Sequence, residues 1–163
     1  MVNNKKDAEN AVSATHYEPR GSRGVGLGRA QGYGTKFREY LDWETDSSVV
    51  IVQIEHKSAL ENLFDILKVP GVDGYLIGPY DLSCSLGVPG NFDNPKFIKS
   101  MEEISKIGLQ LNVPGGLHIV EPDIEILTKE INKGYKFIAY SVDIRILDVG
   151  LRRGINCFNE ISR

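Results

Sequence analysis

The chain has 163 residues, of which 41% are hydrophobic and 25% charged, with a formal net charge of −3. These values are typical of one globular domain and exclude a disordered tail, a disulfide-rich miniprotein and a collagen-like repeat. The slightly acidic balance, without a run of basic residues, gives no reason to expect a nucleic-acid partner. No apolar stretch is long enough to suggest a membrane span. Two distant cysteines, Cys84 and Cys157, indicate neither a disulfide framework nor a zinc site and favour a reducing cytoplasm.

The first third of the chain predicts two helices separated by a glycine-rich loop. Apolar spacing and a preceding asparagine predict a helix from Asn4 to Thr15. The loop from Arg20 to Gly34 carries six glycines and three arginines. Its glycine spacing matches neither the dinucleotide fingerprint nor the P-loop, so it is not predicted to bind a nucleotide. A short helix over about Thr35 to Glu44 follows.

The rest of the chain alternates strands with helices. Such an order means parallel strands joined by crossovers, in either a doubly wound open sheet or a (β/α)₈ barrel. On one face of the first strand the residues change from apolar to polar, ending at Gln53 and Glu55, and this change favours the mouth of a barrel. An entire barrel typically needs roughly 250 residues, however, which is more than this chain has. We predict strands at 49–55, 74–78, 113–119 and 137–142, and helices at about 58–67, 95–107, 123–132 and 143–153.

Two carboxylates mark the ends of neighbouring predicted strands. Glu55 ends the first and Asp81 follows the second, and the active sites of barrels and open sheets lie at these strand ends. Paired carboxylates suit Mg²⁺ or Mn²⁺, with water and substrate oxygens completing the coordination. The alternative is that each carboxylate caps the following helix. Gln53 favours the metal site, because an amide inside a barrel needs a polar partner.

The segment Gly78-Pro79-Tyr80-Asp81 is the second candidate feature. A glycine before proline lets backbone N–H groups approach a small anion such as a carboxylate. The alternative is a turn, with Asp81 or Ser83 capping a short helix. Among the histidines, His56 lies next to Glu55, while His118 is expected to be a packed, hydrogen-bonded strand residue. Ser141 and Asp143 close the last strand and are candidates for the same mouth. The loop arginines are expected to be solvated or to contact another subunit.

Five segments together resemble the metal-dependent pyruvate aldolases typified by 4-hydroxy-2-oxoheptanedioate aldolase and 2-dehydro-3-deoxyglucarate aldolase. The resemblance covers nearly the whole chain and includes two strand ends with matched spacing. The matching segments are Tyr17 to Gly26, Val52 to Glu55, Val72 to Ser83, Pro114-Gly115 and Ser141 to Asp143.

This resemblance implies an incomplete TIM (β/α)₈ barrel, from a stub of strand 4 at Met1-Val2-Asn3 to strand 8. Residues 1–163 would form a single partial aldolase domain without strands 1 to 3. Two unpaired edges and a partly open interior would follow, and these predict association. The family's trimers and hexamers also imply a homo-oligomer.

The resemblance also implies roles for individual residues. Glu55 and Asp81 would hold a divalent ion, Mg²⁺, Mn²⁺ or Co²⁺. Gln53 would order the catalytic site and contact the substrate, and the backbone at Gly78, Tyr80 and Asp81 would receive the pyruvate carboxylate. The family's substrate-binding arginine and proton-transfer histidine have no counterpart in these residues. Tyr80 stands where the family usually has a small residue, which bears on substrate size.

The implied reaction is reversible aldol cleavage of a 4-hydroxy-2-oxo acid into pyruvate and an aldehyde, with the activity of this chain impaired by its missing strands. One alternative is a carbon–carbon lyase like the citrate lyase β-subunit, which acts on acyl-coenzyme A thioesters. Another is a noncatalytic product of a truncated gene.

Overall fold

Four parallel strands form one sheet whose spatial order equals their order along the chain. In this computed structural model, which describes residues 1–161, each strand pairs with the next, and the register places Gln53 opposite Leu76 and Leu76 opposite Gly116. Consecutive parallel strands joined by helices are the arrangement of a barrel wall, which here consists of four strands. The strands are β1 Ile51–Ile54, β2 Gly74–Ile77, β3 Gly115–Ile119 and β4 Phe137–Tyr140.

Eight α-helices are found within residues 1–161, and every predicted helix overlaps at least one of them. Several begin at residues suited to helix starts: Asn4, Asn94 and Asp123 accept hydrogen bonds from the first turns of their helices. The helices are α1 Lys5–Thr15, α2 Phe37–Ser47, α3 Lys57–Glu61, α4 Leu63–Leu67, α5 Pro79–Ser85, α6 Pro95–Leu111, α7 Ile124–Asn132 and α8 Asp143–Ile161.

The two faces of the sheet differ in burial, as the alternation in β1 predicts. Val52, Ile54 and Ile77 on the outer face are at most 3% exposed and belong to the main apolar core. Burying each such side chain contributes roughly 1.5–3 kcal/mol. On the inner face Gln53 is only half-buried and Ile51 is 46% exposed. The structure therefore confirms a partial barrel with an open interior.

The predicted stub of a preceding strand lies beside β1. Val2 is buried, and its N–H donates to the carbonyl of Gln53 at 3.1 Å. This single bond aligns Met1-Val2-Asn3 with the free edge of β1 without extending into a full strand. The position agrees with the end of a fourth barrel strand.

Three local predictions are corrected. The helix predicted over 58–67 is two helices, since the Asn62 side chain donates to the carbonyl of Ser58 and so competes with the helical backbone. The loop ends in a 3₁₀ turn over Arg29–Gly34, where Gly32 adopts a φ of +57°. The short helix after Gly78 begins at Pro79 and is not capped by Asp81 or Ser83, because proline suits the first position of a helix.

The last helix is longer than predicted. α8 continues to Ile161, and none of its described residues is buried. Within residues 1–161 no helix combines the length and the apolar character that crossing a membrane requires. The helix nonetheless exposes a stripe of large apolar side chains, namely Ile144, Leu147, Leu151, Ile155 and Phe158.

Candidate active site

Gln53 and Glu55 lie together at the carboxyl end of β1. The Gln53 Nε2 atom donates to Glu55 Oε2 at 2.6 Å, so the amide holds the carboxylate in one orientation. Both residues are half-buried on the inner face of the sheet. Across residues 1–161, no lysine, arginine or histidine lies within ion-pair distance of Glu55. Glu55 is therefore an oriented carboxylate without a neutralising cation.

Gly78 provides the space that Glu55 occupies. The glycine N–H donates to the carbonyl of Ile54 at 3.2 Å, which extends the pairing of β1 and β2 to their carboxyl ends. A Cβ added at Gly78 would overlap Glu55 Oε2 and lie 3.3 Å from Gln53 Nε2. Any side chain here would displace the carboxylate, so the absence of a side chain at Gly78 gives Glu55 the position that it occupies.

Asp81 lies in the first turn of α5, three residues after Gly78. Its carboxylate is exposed, and in the described part of the chain it pairs with no basic side chain. The first helical bond of α5 runs from the Leu82 N–H to the carbonyl of Gly78 at 3.0 Å. The amides of Tyr80 and Asp81 precede that bond and are the orphan donors of a helix start.

Neither carboxylate serves as a helix cap, which was the alternative to a metal site. The residue before α5 is Gly78, which has no capping side chain, and the cap of α3 is His56, whose Nδ1 accepts from the Ser58 N–H at 3.2 Å. His56 is thus a structural residue. Both carboxylates remain unused by the secondary structure.

The two carboxylates form a donor set that fits a hard divalent ion. They follow adjacent parallel strands at the same edge, and carboxylate oxygens are the ligands that Mg²⁺ and Mn²⁺ prefer. Residues 1–161 contain no cluster of three or more acidic, histidine or cysteine side chains placed to hold a metal. A bound ion would therefore take its remaining ligands from water and substrate.

His118 lies in the same row of the inner face, a placement that the sequence did not indicate. The β2–β3 register puts Leu117 opposite Ile77 and, one residue on, His118 opposite Gly78. Two strand spacings of about 4.8 Å separate the backbones of His118 and Glu55, and Gly78 between them has no side chain. The ring is half-buried and has no hydrogen-bond partner among the described residues, so the prediction of a hydrogen-bonded histidine is wrong.

Tyr80 borders the mouth on the side of the following loop. Its ring meets Phe92 edge to face with centroids 5.0 Å apart, and Phe92 in turn contacts the buried Phe97 of α6 at 5.1 Å. Ser83 fixes the same loop, because its buried hydroxyl donates to the Tyr80 carbonyl and accepts from the Gly90 N–H. These contacts hold the loop over 86–94 beside the first turn of α5.

The other strand-end polar residues are already engaged. The Ser141 hydroxyl donates to the carbonyl of Val120 at 2.7 Å, and Asp143 accepts from the N–H of Ile144. Glu121, which follows β3, forms an ion pair with Arg145 at 2.7 Å. The hydrogen bond that Arg145 donates to Glu121 raises the pKa of the Arg145 guanidinium above its ordinary value. The structure therefore brings Gln53, Glu55, Gly78, Asp81 and His118 to the mouth and leaves Ser141 and Glu121 as structural contacts.

The arrangement is that of a parallel-barrel wall with two carboxylates at the strand ends, one of them oriented by a hydrogen bond. The chain belongs to the HpcH/HpaI aldolase/citrate lyase family, whose sequence model matches residues 1–148. It is 40% identical over 153 residues to the 4-hydroxy-2-oxo-heptane-1,7-dioate aldolase of Salmonella paratyphi C, a match that covers 92% of this chain and 57% of that protein. The chain thus spans about half the length of the curated relatives it matches.

Solved structures of the same family share the fold. An HpcH/HpaI aldolase/citrate lyase family protein from Burkholderia cenocepacia superposes with a TM-score of 0.86 and 30% identity, covering 100% of this chain and 63% of that one. The HpcH/HpaI aldolase from Desulfitobacterium hafniense superposes with a TM-score of 0.84 and 26% identity, covering 98% and 61%. These matches identify the sheet as part of a TIM-like barrel.

Proposed function

We propose that this protein is a lyase that cleaves 4-hydroxy-2-oxo acids into pyruvate and an aldehyde in a reaction that depends on a divalent metal. The observation that carries this proposal is the oriented, cation-free carboxylate of Glu55, held by Gln53 over Gly78. Asp81 follows the adjacent strand at the same end of the sheet. The 40% identity to a named aldolase supports the substrate class. The proposed location is a reducing cytoplasm, consistent with two free, exposed cysteines.

Each residue of the site has a proposed task. Glu55 and Asp81 would hold Mg²⁺, Mn²⁺ or Co²⁺, and Gln53 would keep Glu55 in its ligating orientation. The ion would act as a Lewis acid toward the carbonyl and carboxylate oxygens of the 2-oxo acid. The N–H groups of Tyr80 and Asp81, with Gly78 giving close access, would bind the substrate carboxylate.

Tyr80 and His118 would act on the aldehyde part of the substrate. The Tyr80 ring, held by Phe92, narrows the mouth and would select short aldehydes. His118 is an imidazole that faces the inner side of the sheet without a hydrogen-bond partner, and it could accept or return a proton at a ring nitrogen. Neither residue replaces the arginine that the family uses to bind the oxo acid.

With only these residues at the site, aldol cleavage should be slow, because the family's substrate-binding arginine and proton-transfer histidine have no matched counterpart among them. Loss of a positioned acid–base group typically costs about 10²- to 10⁴-fold in rate. Loss of an electrostatic stabiliser costs about 10²- to 10³-fold. Partial reactions therefore test the site better than complete aldol cleavage.

The experiment follows the exchange of the pyruvate methyl protons with D₂O by ¹H NMR, with the chain and Mg²⁺ or Mn²⁺. We expect the exchange to be slow, but faster with the chain and the ion than with the ion alone. Glu55→Gln should abolish this acceleration. Gly78→Ala should reduce it, because the new Cβ overlaps the Glu55 carboxylate. Gly26→Ala is the matched control, because nothing lies within 4 Å of its Cβ position. Exchange that persists in Glu55→Gln would contradict the proposed site.

A second candidate is a citrate lyase-like enzyme acting on acyl-coenzyme A, since the matching family includes citrate lyases. The same measurement with acetyl-coenzyme A distinguishes the two, because this candidate predicts exchange of the acetyl protons and none in pyruvate. Absence of both exchanges together with absence of Mn²⁺ binding would identify a noncatalytic protein.

A further inference from the structure

The last helix, α8, carries an apolar surface that nothing else in residues 1–161 covers. Five of its large apolar residues are each 58–73% exposed, and none of its described residues is buried. At about 100° of rotation per residue, these five positions fall within an arc of about 80°. We call this arc the α8 stripe, and its members are Ile144, Leu147, Leu151, Ile155 and Phe158. One continuous apolar stripe is typical of a helix that packs against another surface.

The α8 stripe is symmetric about its central residue, Leu151. Leu147 and Ile155 lie four residues on either side of it, and Ile144 and Phe158 lie seven residues on either side. A twofold axis through Leu151 would therefore place a second, antiparallel copy of the helix with every apolar side chain opposite another one. Leu151 would meet its own copy. An interface between two identical chains must be self-complementary in this way.

The charges of α8 favour the antiparallel direction. In that register every charged residue faces an uncharged residue of the second copy; Arg152 faces Gly150, for example, and Asp148 faces Gly154. In a parallel pair in register, each charged residue would face its own copy and like charges would repel each other. The charged residues are Asp143, Arg145, Asp148, Arg152, Arg153 and Glu160.

The two flanks of the stripe also allow a second helix to approach. On one flank Asp148 is already paired within the chain, with its Oδ1 2.8 Å from Arg152 Nε, so it requires no cation from a partner. On the other flank nothing lies within 4 Å of the Cβ positions of Gly150 and Gly154. The charged flank of one helix would thus meet the open glycine flank of the other.

The size of the α8 stripe matches a reversible dimer. Five exposed side chains of this kind offer roughly 500–600 Å² of apolar surface per helix. With the exposed Val142 and Ile161 at its ends, a twofold pair would bury on the order of 1,200 Å², the lower end of the range for specific interfaces. We therefore expect an equilibrium between monomer and dimer that depends on concentration.

We propose that α8 docks against α8 of a second copy of this chain, antiparallel about a twofold axis at Leu151. The exposed stripe, its symmetry and the placement of its charges all fit this one occupant. The proposal does not depend on the proposed aldolase activity, because it uses none of the residues at the mouth.

The test is disulfide formation between single cysteines in a chain whose native thiols are removed by Cys84→Ser and Cys157→Ser. Leu151→Cys should form a covalent dimer on mild oxidation, because the residue faces its own copy. Ile144→Cys and Phe158→Cys should each form none alone, since the two copies of either residue lie about 21 Å apart along the pair. Mixed together, these two variants should form a disulfide-linked heterodimer.

A control and a second measurement complete the design. Ile146→Cys, which alters a residue 49% exposed outside the stripe, should form no disulfide. Light scattering should show the parent chain passing from monomer to dimer with concentration. Leu151→Asp should raise the dissociation constant at least about 100-fold, because two copies of the residue meet at the axis. Circular dichroism checks that this variant keeps its helices.

Three results would overturn the proposal. The first is a parent chain that stays monomeric at every concentration measured. The second is a disulfide in Ile144→Cys alone, which would indicate a parallel pair. The third is a dimer in which neither Leu151→Cys nor the mixture of Ile144→Cys with Phe158→Cys forms a disulfide, which would place α8 against a different surface of its partner.

Discussion

The two edge strands of the sheet, β1 and β4, differ in how they are held. Val52 and Ile54 of β1 are buried beneath helices, and Ile54 is fully inaccessible. No residue of β4 reaches that degree of burial, and α8, which follows it, has no buried residue among those described. The β1 edge is thus fixed by apolar packing, whereas the β4 edge presents apolar surface.

The carboxylates near the two edges differ in whether a cation pairs with them. Glu55, after β1, has a neutral amide as its partner. Glu121, near β4, pairs with Arg145 of α8, and Arg145 also pairs with Asp148. Ion pairs therefore connect α8 to the end of β3, whereas no cation pairs with Glu55 in the described chain. A position at a strand end does not by itself make a reactive group.

The largest expected effect concerns the exposed stripe of α8. Replacing Leu151 and Phe158 together by Lys should convert an associating chain into a monomer, because each apolar side chain buried in an interface contributes roughly 1.5–3 kcal/mol. Sizing chromatography with light scattering measures this. Tyr33→Ser, which alters a residue 76% exposed in the loop, should leave association unchanged. If the parent chain is a monodisperse monomer, the α8 stripe has no such role.

Truncating a side chain in each edge strand should lower the free energy of unfolding by different amounts. Ile54→Ala should lower the free energy of unfolding by about 3–5 kcal/mol, since the side chain is fully buried. Ile138→Ala in β4, which is half-buried, should cost less than half as much. Urea unfolding followed by circular dichroism compares them. Equal losses would show that β4 is packed as tightly as β1.

Metal affinity should distinguish the two strand-end glutamates. Glu55→Gln should weaken Mn²⁺ binding by about 100-fold or more, since removal even of an outer-shell partner typically costs about 10- to 100-fold. Glu121→Gln should leave Mn²⁺ affinity unchanged, because Glu121 is paired with Arg145. The parent affinity itself should be weak, with few fixed oxygens at the site. Calorimetry gives all three values, and equal binding by the parent and Glu55→Gln would exclude Glu55 as a ligand.

The smallest expected effect is a pH dependence of stability that arises from Asp148 in α8. The hydrogen bond from Arg152, with the nearby Arg145, holds the pKa of Asp148 below its ordinary value of 3.8. A depressed pKa stabilises the folded chain above pH 3.8, and this contribution disappears as the pH falls through the lowered value. Asp148→Asn should therefore be slightly less stable than the parent at neutral pH and equal to it in acid.

Urea midpoints between pH 2 and pH 7 measure this convergence, which should be small because Asp148 is solvent-accessible and screened by salt. Asp65→Asn is the matched control, since Asp65 is exposed and forms no ion pair among residues 1–161. A gap between the parent and Asp148→Asn that persists in acid would show that the aspartate acts through packing rather than charge.

The sequence by itself determined the order of elements and the site on β1. Apolar runs alternating with helical spacing predict the four parallel strands, and the period of two in β1 places Gln53 and Glu55 on one face. The structure has both on the inner face, joined by a hydrogen bond. Local patterns suffice here because the periods of strand and helix are properties of a few consecutive residues.

Features that depend on contacts between distant residues were decided only by the tertiary structure. The register between β2 and β3 places His118 opposite Gly78, and the fold directs Arg145 to Glu121 rather than to Glu55. In the same way Tyr75 lies between two glycines from separate elements. A sequence pattern states which face a side chain occupies, but its neighbour across the sheet depends on strand order and register. Strand order and register are fixed by the packing of the whole sheet and its helices.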